Sequence, residues 1–190
     1  RWLEPGYGYI RIAQFQSATG KDVTGALEKL MNKQKLKGLV LDLRNNPGGV
    51  LRSSVDVAGS FMDGGKVVYT EGRLPNSDME FNAQPEDATA GIPIVVLINS
   101  GSASASEIVA GALQDHGRAV IMGTRSFGKG SVQTVLPISD ARAVKLTTAL
   151  YFTPNGRSIQ AEGIEPDIEV ERAKVTAYDN SRRVTEADLT

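Results

Sequence analysis

The sequence predicts an α/β domain with a central sheet flanked by helices. Three observations carry this expectation. Short apolar runs alternate with segments whose apolar residues recur at helical spacing. Two of those runs, Leu39–Leu43 and Ile94–Ile98, are apolar at nearly every position, as in strands covered on both faces. Turn-forming residues join strand to helix at Arg44–Gly49 and again at Asn99–Ser102. At 190 residues the chain is long enough to bury one sizeable core.

Each element has its own justification. Tyr9–Phe15 reads as a strand after a lead-in containing Pro5, Gly6 and Gly8. Val23, Leu27, Leu30 and Met31 then fall on one helical face, with Thr19 or Asp22 as the expected cap and Gly38 as the expected end. After the strand Leu39–Leu43 comes Arg44-Asn45-Asn46-Pro47-Gly48-Gly49. A second helix follows, with Leu51, Val55, Ala58 and Met62 on one face. Lys66–Glu71 is strand-like, and the polar stretch Gly72–Gly91 has no period, which suggests a flap or a disordered connection. Ile94–Ile98 leads through a turn into a helix marked by Ile108, Val109, Ala112 and Leu113. Further strands are expected at Arg118–Met122, Gln133–Leu136, Ala143–Thr153 and, as an edge, Ile164–Val170, where Pro166 falls. Pro154-Asn155-Gly156-Arg157 is a hairpin-turn signal. Residues 171–190 are polar and charged, and read as a surface helix or tail.

Composition excludes several functions. A net charge of −1 gives no electrostatic case for nucleic acid or an anionic membrane. No apolar run approaches the ~20 residues of a membrane span. Cysteine is absent and histidine occurs once, so thiolate chemistry is excluded and a zinc site is poorly supported. No carboxylate cluster suggests magnesium or calcium, and no cofactor is expected. There is no signal-peptide pattern, and Arg1 in place of an initiating Met reads as a cut point in a longer chain.

The chemistry centres on Gly101-Ser102-Ala103-Ser104-Ala105-Ser106-Glu107. Small serines stand there on a strand-to-helix turn, where free amides and the positive end of the helix dipole favour a developing negative charge. Taken alone, these serines read as caps and spacers. The lone histidine, His116, cannot serve Ser104 as base. If one helix joins them, they lie roughly 18 Å apart at ~1.5 Å per residue. His116 reads better as a residue meeting free carbonyls at a helix C-terminus. Gly123–Lys129 has the G-x-x-x-x-G-K spacing of a phosphate loop. Yet Gly130 stands where a Mg²⁺-binding hydroxyl belongs, and Val132–Pro137 does not open a helix. Lys129 flanked by glycines reads equally as a solvated surface lysine in a turn or as a residue with a different role. A lysine can act as general base when burial lowers its pKa from the ordinary ~10.4.

Ser104 in G-S-A-S-A-S-E, Lys129 in F-G-K-G and Gln133 beyond it together resemble the carboxy-terminal processing (tail-specific) proteases. Leu41-Asp42-Leu43-Arg44-Asn45-Asn46-Pro47-Gly48-Gly49 is similar to that family's glycine loop. Tyr151–Gln160 and Gly163–Asp167 match it further on. The resemblance covers roughly residues 7 to 170. It implies a crotonase/Clp-protease-like core over 1–170, with 171–190 as a tail. It also implies a serine endopeptidase with a Ser-Lys dyad, acting near the C-terminal ends of partly unfolded proteins in the bacterial periplasm, cell envelope or chloroplast lumen. Ser104 would be the nucleophile, Lys129 the general base, and Gln133 would hold the lysine. The amides of Ala105 and of Gly48 or Gly49 would form the oxyanion hole, as helix N-termini favour. The family's PDZ domain, which captures substrate C-termini by strand addition, has no counterpart before Tyr7, so the chain reads as an isolated protease core or as a member with the PDZ absent. The expected partner is a protein or peptide substrate, with room for a PDZ domain or adaptor and for a homo-oligomer. Two other readings stay open. One is a catalytically silent peptide-binding core. The other is acyl-thioester chemistry on the same fold, which needs no serine nucleophile.

Overall fold

The computed structural model describes residues 1–73, 78–85 and 87–170. Within them the expected α/β architecture is present, with two sheets rather than one. The first sheet runs β1 (Trp2–Glu4), β2 (Tyr7–Arg11), β3 (Gly38–Asp42), β6 (Ile94–Ile98), β7 (Val120–Gly123) and β10 (Ile168–Glu169) in that spatial order. All its pairings are parallel except the β1–β2 ribbon. The second sheet is antiparallel and orders β5 (Met79–Ala83), β4 (Gly65–Gly72), β9 (Arg142–Phe152) and β8 (Ser131–Ser139).

Three helices pack between these layers: α1 (Thr19–Met31), α2 (Leu51–Gly59) and α3 (Ala105–Asp115). α2 lies against both α1 and α3, and α2 and α3 also touch β4 of the second sheet. One continuous core results. It joins Leu41, Val96, Ile98 and Ile121 of the first sheet to Leu27, Val55, Ile108, Val109 and Leu113 of the helices, and to Val67 and Val68 of β4. Each such fully buried aliphatic side chain contributes roughly 1.5–3 kcal/mol. α3 is apolar almost all round because it is covered on every side: its residues from Ala105 to Leu113 are all buried.

Several boundaries differ from expectation for local reasons. The first run pairs only as far as Arg11, opposite Asp42. Ile12 and Phe15 stay buried, but the chain there turns to a single bridge between Phe15 and Gly49. α1 is capped by neither Thr19 nor Asp22; Ala18 is its N-cap, and Thr19 Oγ1 instead accepts from the Gln16 amide at 2.9 Å. The helix ends at Met31, and Gly38 opens β3 beside Tyr7. Met62 is buried beyond the end of α2. The polar stretch 72–91 contains β5, which makes a hairpin with β4; residues 74–77 and 86 lie outside the described residues. Past it, Asp87 and Thr89 anchor Arg118 through bonds of 3.1 and 2.6 Å. The turn at 154–157 is present, closed by Gly156 N–H donating to Thr153 O at 2.9 Å. The last strand is two residues long, at the edge beside β7. The tail expected at 171–190 lies outside the described residues.

Candidate active site

The turn after β6 is built from its own polar side chains. Ser102 Oγ accepts from the Asn99 amide at 3.0 Å and donates to Leu43 O at 2.8 Å. Ser106 Oγ donates to Asn46 O at 3.0 Å. Both serines are fully buried, so they tie the β6–α3 turn to the glycine loop after β3. Ser104 is different. It is the half-buried N-cap of α3 and holds φ 55°, ψ −112°, a backbone conformation that L-residues seldom adopt. Such strain persists only where surrounding contacts enforce it, and it concentrates at functional sites.

The glycine loop comes in close. A Cβ on Gly48 would lie 2.8 Å from Ser104 Cβ and 2.9 Å from Ala105 N. Asn46, fully buried, shapes this loop. Its Nδ2 donates to Ile12 O at 2.8 Å, and its Oδ1 accepts from the Gly48 amide at 2.9 Å. The Gly48 N–H is therefore engaged. At the Phe15–Gly49 bridge, Phe15 N–H donates to Gly48 O and Val50 N–H donates to Phe15 O, each at 2.9 Å. The Gly49 amide points away from that bridge and, like that of Ala105, has no hydrogen-bond partner among the described residues. Two unengaged amides thus stand at the N-terminal ends of α2 and α3, one following Ser104 and one following Gly48, whose Cβ position faces Ser104.

Lys129 lies on the loop between β7 and β8, and β8 follows it as a strand, so no helix cradles a phosphate there. The loop is fastened to α3 by Glu107, which is completely buried. Glu107 Oε2 accepts from Ser104 N at 2.7 Å and from Lys129 N at 2.9 Å. Its Oε1 accepts from Ser126 Oγ at 2.5 Å and from Gly128 N at 2.6 Å. Phe127 N–H adds a bond to Ser102 O at 2.9 Å. The backbones carrying Ser104 and Lys129 are thus brought together. Their side chains are not joined: no hydrogen bond links Ser104 Oγ to Lys129 Nζ among the described residues. The burial expected of Lys129 is not met, because its side chain is exposed, as is that of Gln133. A register shift between Val132 and Gln133 in β8 falls between these two residues. Glu107 escaped the sequence reading. The S-x-x-E spacing of a capping box, with a carboxylate amid the apolar residues of α3, was the available signal.

His116 is the C-cap of α3, as expected of a helix-end residue, but its ring meets another element. Nε2 donates to Lys66 O of β4 at 2.7 Å. Farther out, Glu71, Arg73, Leu136, Leu146, Leu150 and Phe152 line a groove of about 680 Å³ where β4, β8 and β9 meet. No group of three or more His, Asp or Glu residues suited to a metal occurs among the described residues.

Comparison with known proteins places this geometry among relatives. Residues 6–170 match peptidase family S41. The chain is 53% identical over 179 residues to a carboxy-terminal-processing protease of Bartonella bacilliformis, covering 93% of this chain and 41% of the relative. It is 44% identical over 169 residues to the carboxyl-terminal-processing protease of Synechocystis sp., covering 89% of this chain and 39% of that protein. Among solved structures it is similar to a photosystem II D1 C-terminal processing protease, with a TM-score of 0.80 and 39% identity, over 90% of this chain and 45% of the other. The chain therefore spans about two-fifths of the length of the curated relatives it matches.

Proposed function

Because the chain belongs to peptidase family S41, we propose that it is the catalytic core of a serine endopeptidase that cleaves proteins at or near their C-terminal ends. Ser104 is the nucleophile and Lys129 the general base. Neutral Lys129 takes the Ser104 hydroxyl proton as Oγ attacks the scissile carbonyl, then passes that proton to the departing amine. A water activated by the same lysine hydrolyses the acyl-serine ester. The tetrahedral oxyanion is received by the amides of Ala105 and Gly49, where the helix ends make negative charge favourable. Gln133 contacts Lys129 when substrate is bound. The substrates are partly unfolded proteins of the bacterial periplasm or cell envelope, in keeping with relatives from bacteria and chloroplasts.

The observation that carries this reading is the strained Ser104 N-cap pressed against the Gly48–Gly49 loop, with the Lys129 loop hydrogen-bonded to the same helical turn. The test is cleavage of β-casein, an unfolded protein, together with labelling by a fluorophosphonate probe, for the wild type, Ser104→Ala and Lys129→Ala. Expected are cleavage that rises with pH and loss of at least 1,000-fold in each variant, with unchanged melting. Activity within tenfold of wild type in either variant refutes the dyad.

A second reading has its own support. Lys129 and Gln133 are both exposed and Ser104 is unbonded to the lysine, which on this reading would make the chain a peptide-binding core without turnover. Saturable β-casein binding, unchanged in Ser104→Ala and with no probe labelling, would favour it.

A further inference from the structure

Glu107 is buried among apolar residues of α3, yet it makes four hydrogen bonds and no ion pair among the described residues. Resting on the peptidase reading above, we propose that Glu107 is a positioning residue that locks nucleophile and base into register. It is fully buried, so it does not touch substrate, and it acts through three backbone amides and the Ser126 hydroxyl. Its two oxygens divide the work. Oε2 bridges the Ser104 amide, at 2.7 Å, and the Lys129 amide, at 2.9 Å, directly coupling the two reacting residues. Oε1 holds Ser126 Oγ, at 2.5 Å, and Gly128 N, at 2.6 Å, fixing the loop on the lysine's approach. Ser126 Oγ in turn accepts from Ile164 N at 2.7 Å, which extends the lock to the segment before β10.

Only an acceptor at both oxygens can do this. A backbone N–H can only donate, so the three amides need acceptors, and the Ser126 hydroxyl, which accepts from Ile164 N, spends its own proton on Oε1. Charge-assisted bonds of this kind are roughly twice as strong as neutral ones. In Glu107→Gln one end becomes an NH₂. If it faces Ser104 and Lys129, two donors meet a donor and the bridge between the reacting residues opens. If it faces Ser126 and Gly128, the loop end is released instead. The strained φ of Ser104 is held partly by the bond at its own amide, so the first case also relaxes the nucleophile.

The test compares wild type, Glu107→Gln, Ser126→Ala, Ser104→Ala and Lys129→Ala in β-casein cleavage, read as kcat and KM per folded enzyme, with melting curves. Misplacement by about 1 Å reduces rate by about 100-fold. Glu107→Gln is therefore expected to lower kcat by about 100-fold and leave KM within threefold. A structural role alone would lower the folded fraction without lowering the kcat of the folded enzyme. Wild-type kcat in a folded Glu107→Gln protein overturns the proposal, as does a KM that rises in step with the fall in kcat. If Glu107→Gln does not fold, Ser126→Ala decides: a kcat about tenfold lower with KM within threefold supports the lock, and an unchanged kcat overturns it. Activity retained in Ser104→Ala or Lys129→Ala would overturn the peptidase reading itself, and the lock with it.

Discussion

Gly48→Ala probes how tightly the glycine loop is pressed on Ser104. Gly48 holds φ +98°, which an alanine adopts at a penalty of roughly 1–2 kcal/mol. Its new Cβ would lie 2.7 Å from Ala103 O, 2.8 Å from Ser104 Cβ and 2.9 Å from Ala105 N. Two of those three atoms are backbone, so relief requires the loop and the β6–α3 turn to move apart. Overpacking of this kind adds about 1–3 kcal/mol, for a total of roughly 2–5 kcal/mol of lost stability. The displaced parts are the Ser104 turn and the free amides beside it, so kcat/KM falls about 100-fold even in the folded fraction. Urea denaturation gives the first quantity, and β-casein cleavage well below the melting temperature the second. Gly25→Ala is the control. Gly25 sits inside α1 with nothing within 4 Å of an added Cβ, so it gains about 0.5–1 kcal/mol and leaves activity alone. A Gly48→Ala protein with kcat/KM within threefold of wild type would refute the claim that this contact shapes the site.

Two further outcomes follow from buried polar groups. Burial pushes the pKa of Asp42 up, but hydrogen bonds from Arg44 and Tyr9 outweigh it and hold the carboxyl below its ordinary value. The folded value is the lower one, so its stabilisation is complete above the unfolded pKa of ~3.9 and is lost as pH falls through the folded value. Urea midpoints measured from pH 7 down to pH 2 should therefore fall less steeply in Asp42→Asn than in wild type; parallel curves would contradict this. Asn46→Ala removes the acceptor of the Gly48 amide and the donor to Ile12 O in a fully buried site. It should lose about 2–4 kcal/mol in urea denaturation, since the groups left behind lose their partners, and a loss under 1 kcal/mol would show that the loop closes over the gap.

Much of the fold was legible because its signals are local. Leu39–Leu43 and Ile94–Ile98 are apolar enough to be central strands, and they are neighbours, β3 and β6, in the parallel sheet. The helical period of Ile108, Val109, Ala112 and Leu113 is the buried body of α3. Ser104, Lys129 and the glycine pair stand in short runs whose composition marks them without any structure. Less legible were elements that a partner strand, rather than their own residues, brings into place. β5 lies in a polar stretch and exists because β4 offers it a hairpin edge. Gly38 was read as a helix end, yet it is the first residue of β3, where pairing with Tyr7 decides its place.

The sequence by itself determined which residues are candidates for the chemistry and that they sit at the ends of strands and helices. Turn chemistry, helical period and apolar runs depend on neighbours a few positions away, and those are written in the chain. Tertiary structure alone decided what those residues face. It engaged the Gly48 amide with Asn46 and left those of Gly49 and Ala105 without partners among the described residues. It exposed Lys129, for which the glycine neighbours had permitted either burial or a solvated turn. It also turned Glu107 from a helix-start carboxylate into the tie between two loops, since its partners at Ser126, Gly128 and Lys129 arrive from a segment beyond β7. Burial and hydrogen-bond partnership are properties of long-range packing, and packing is fixed by the whole fold rather than by any window of sequence.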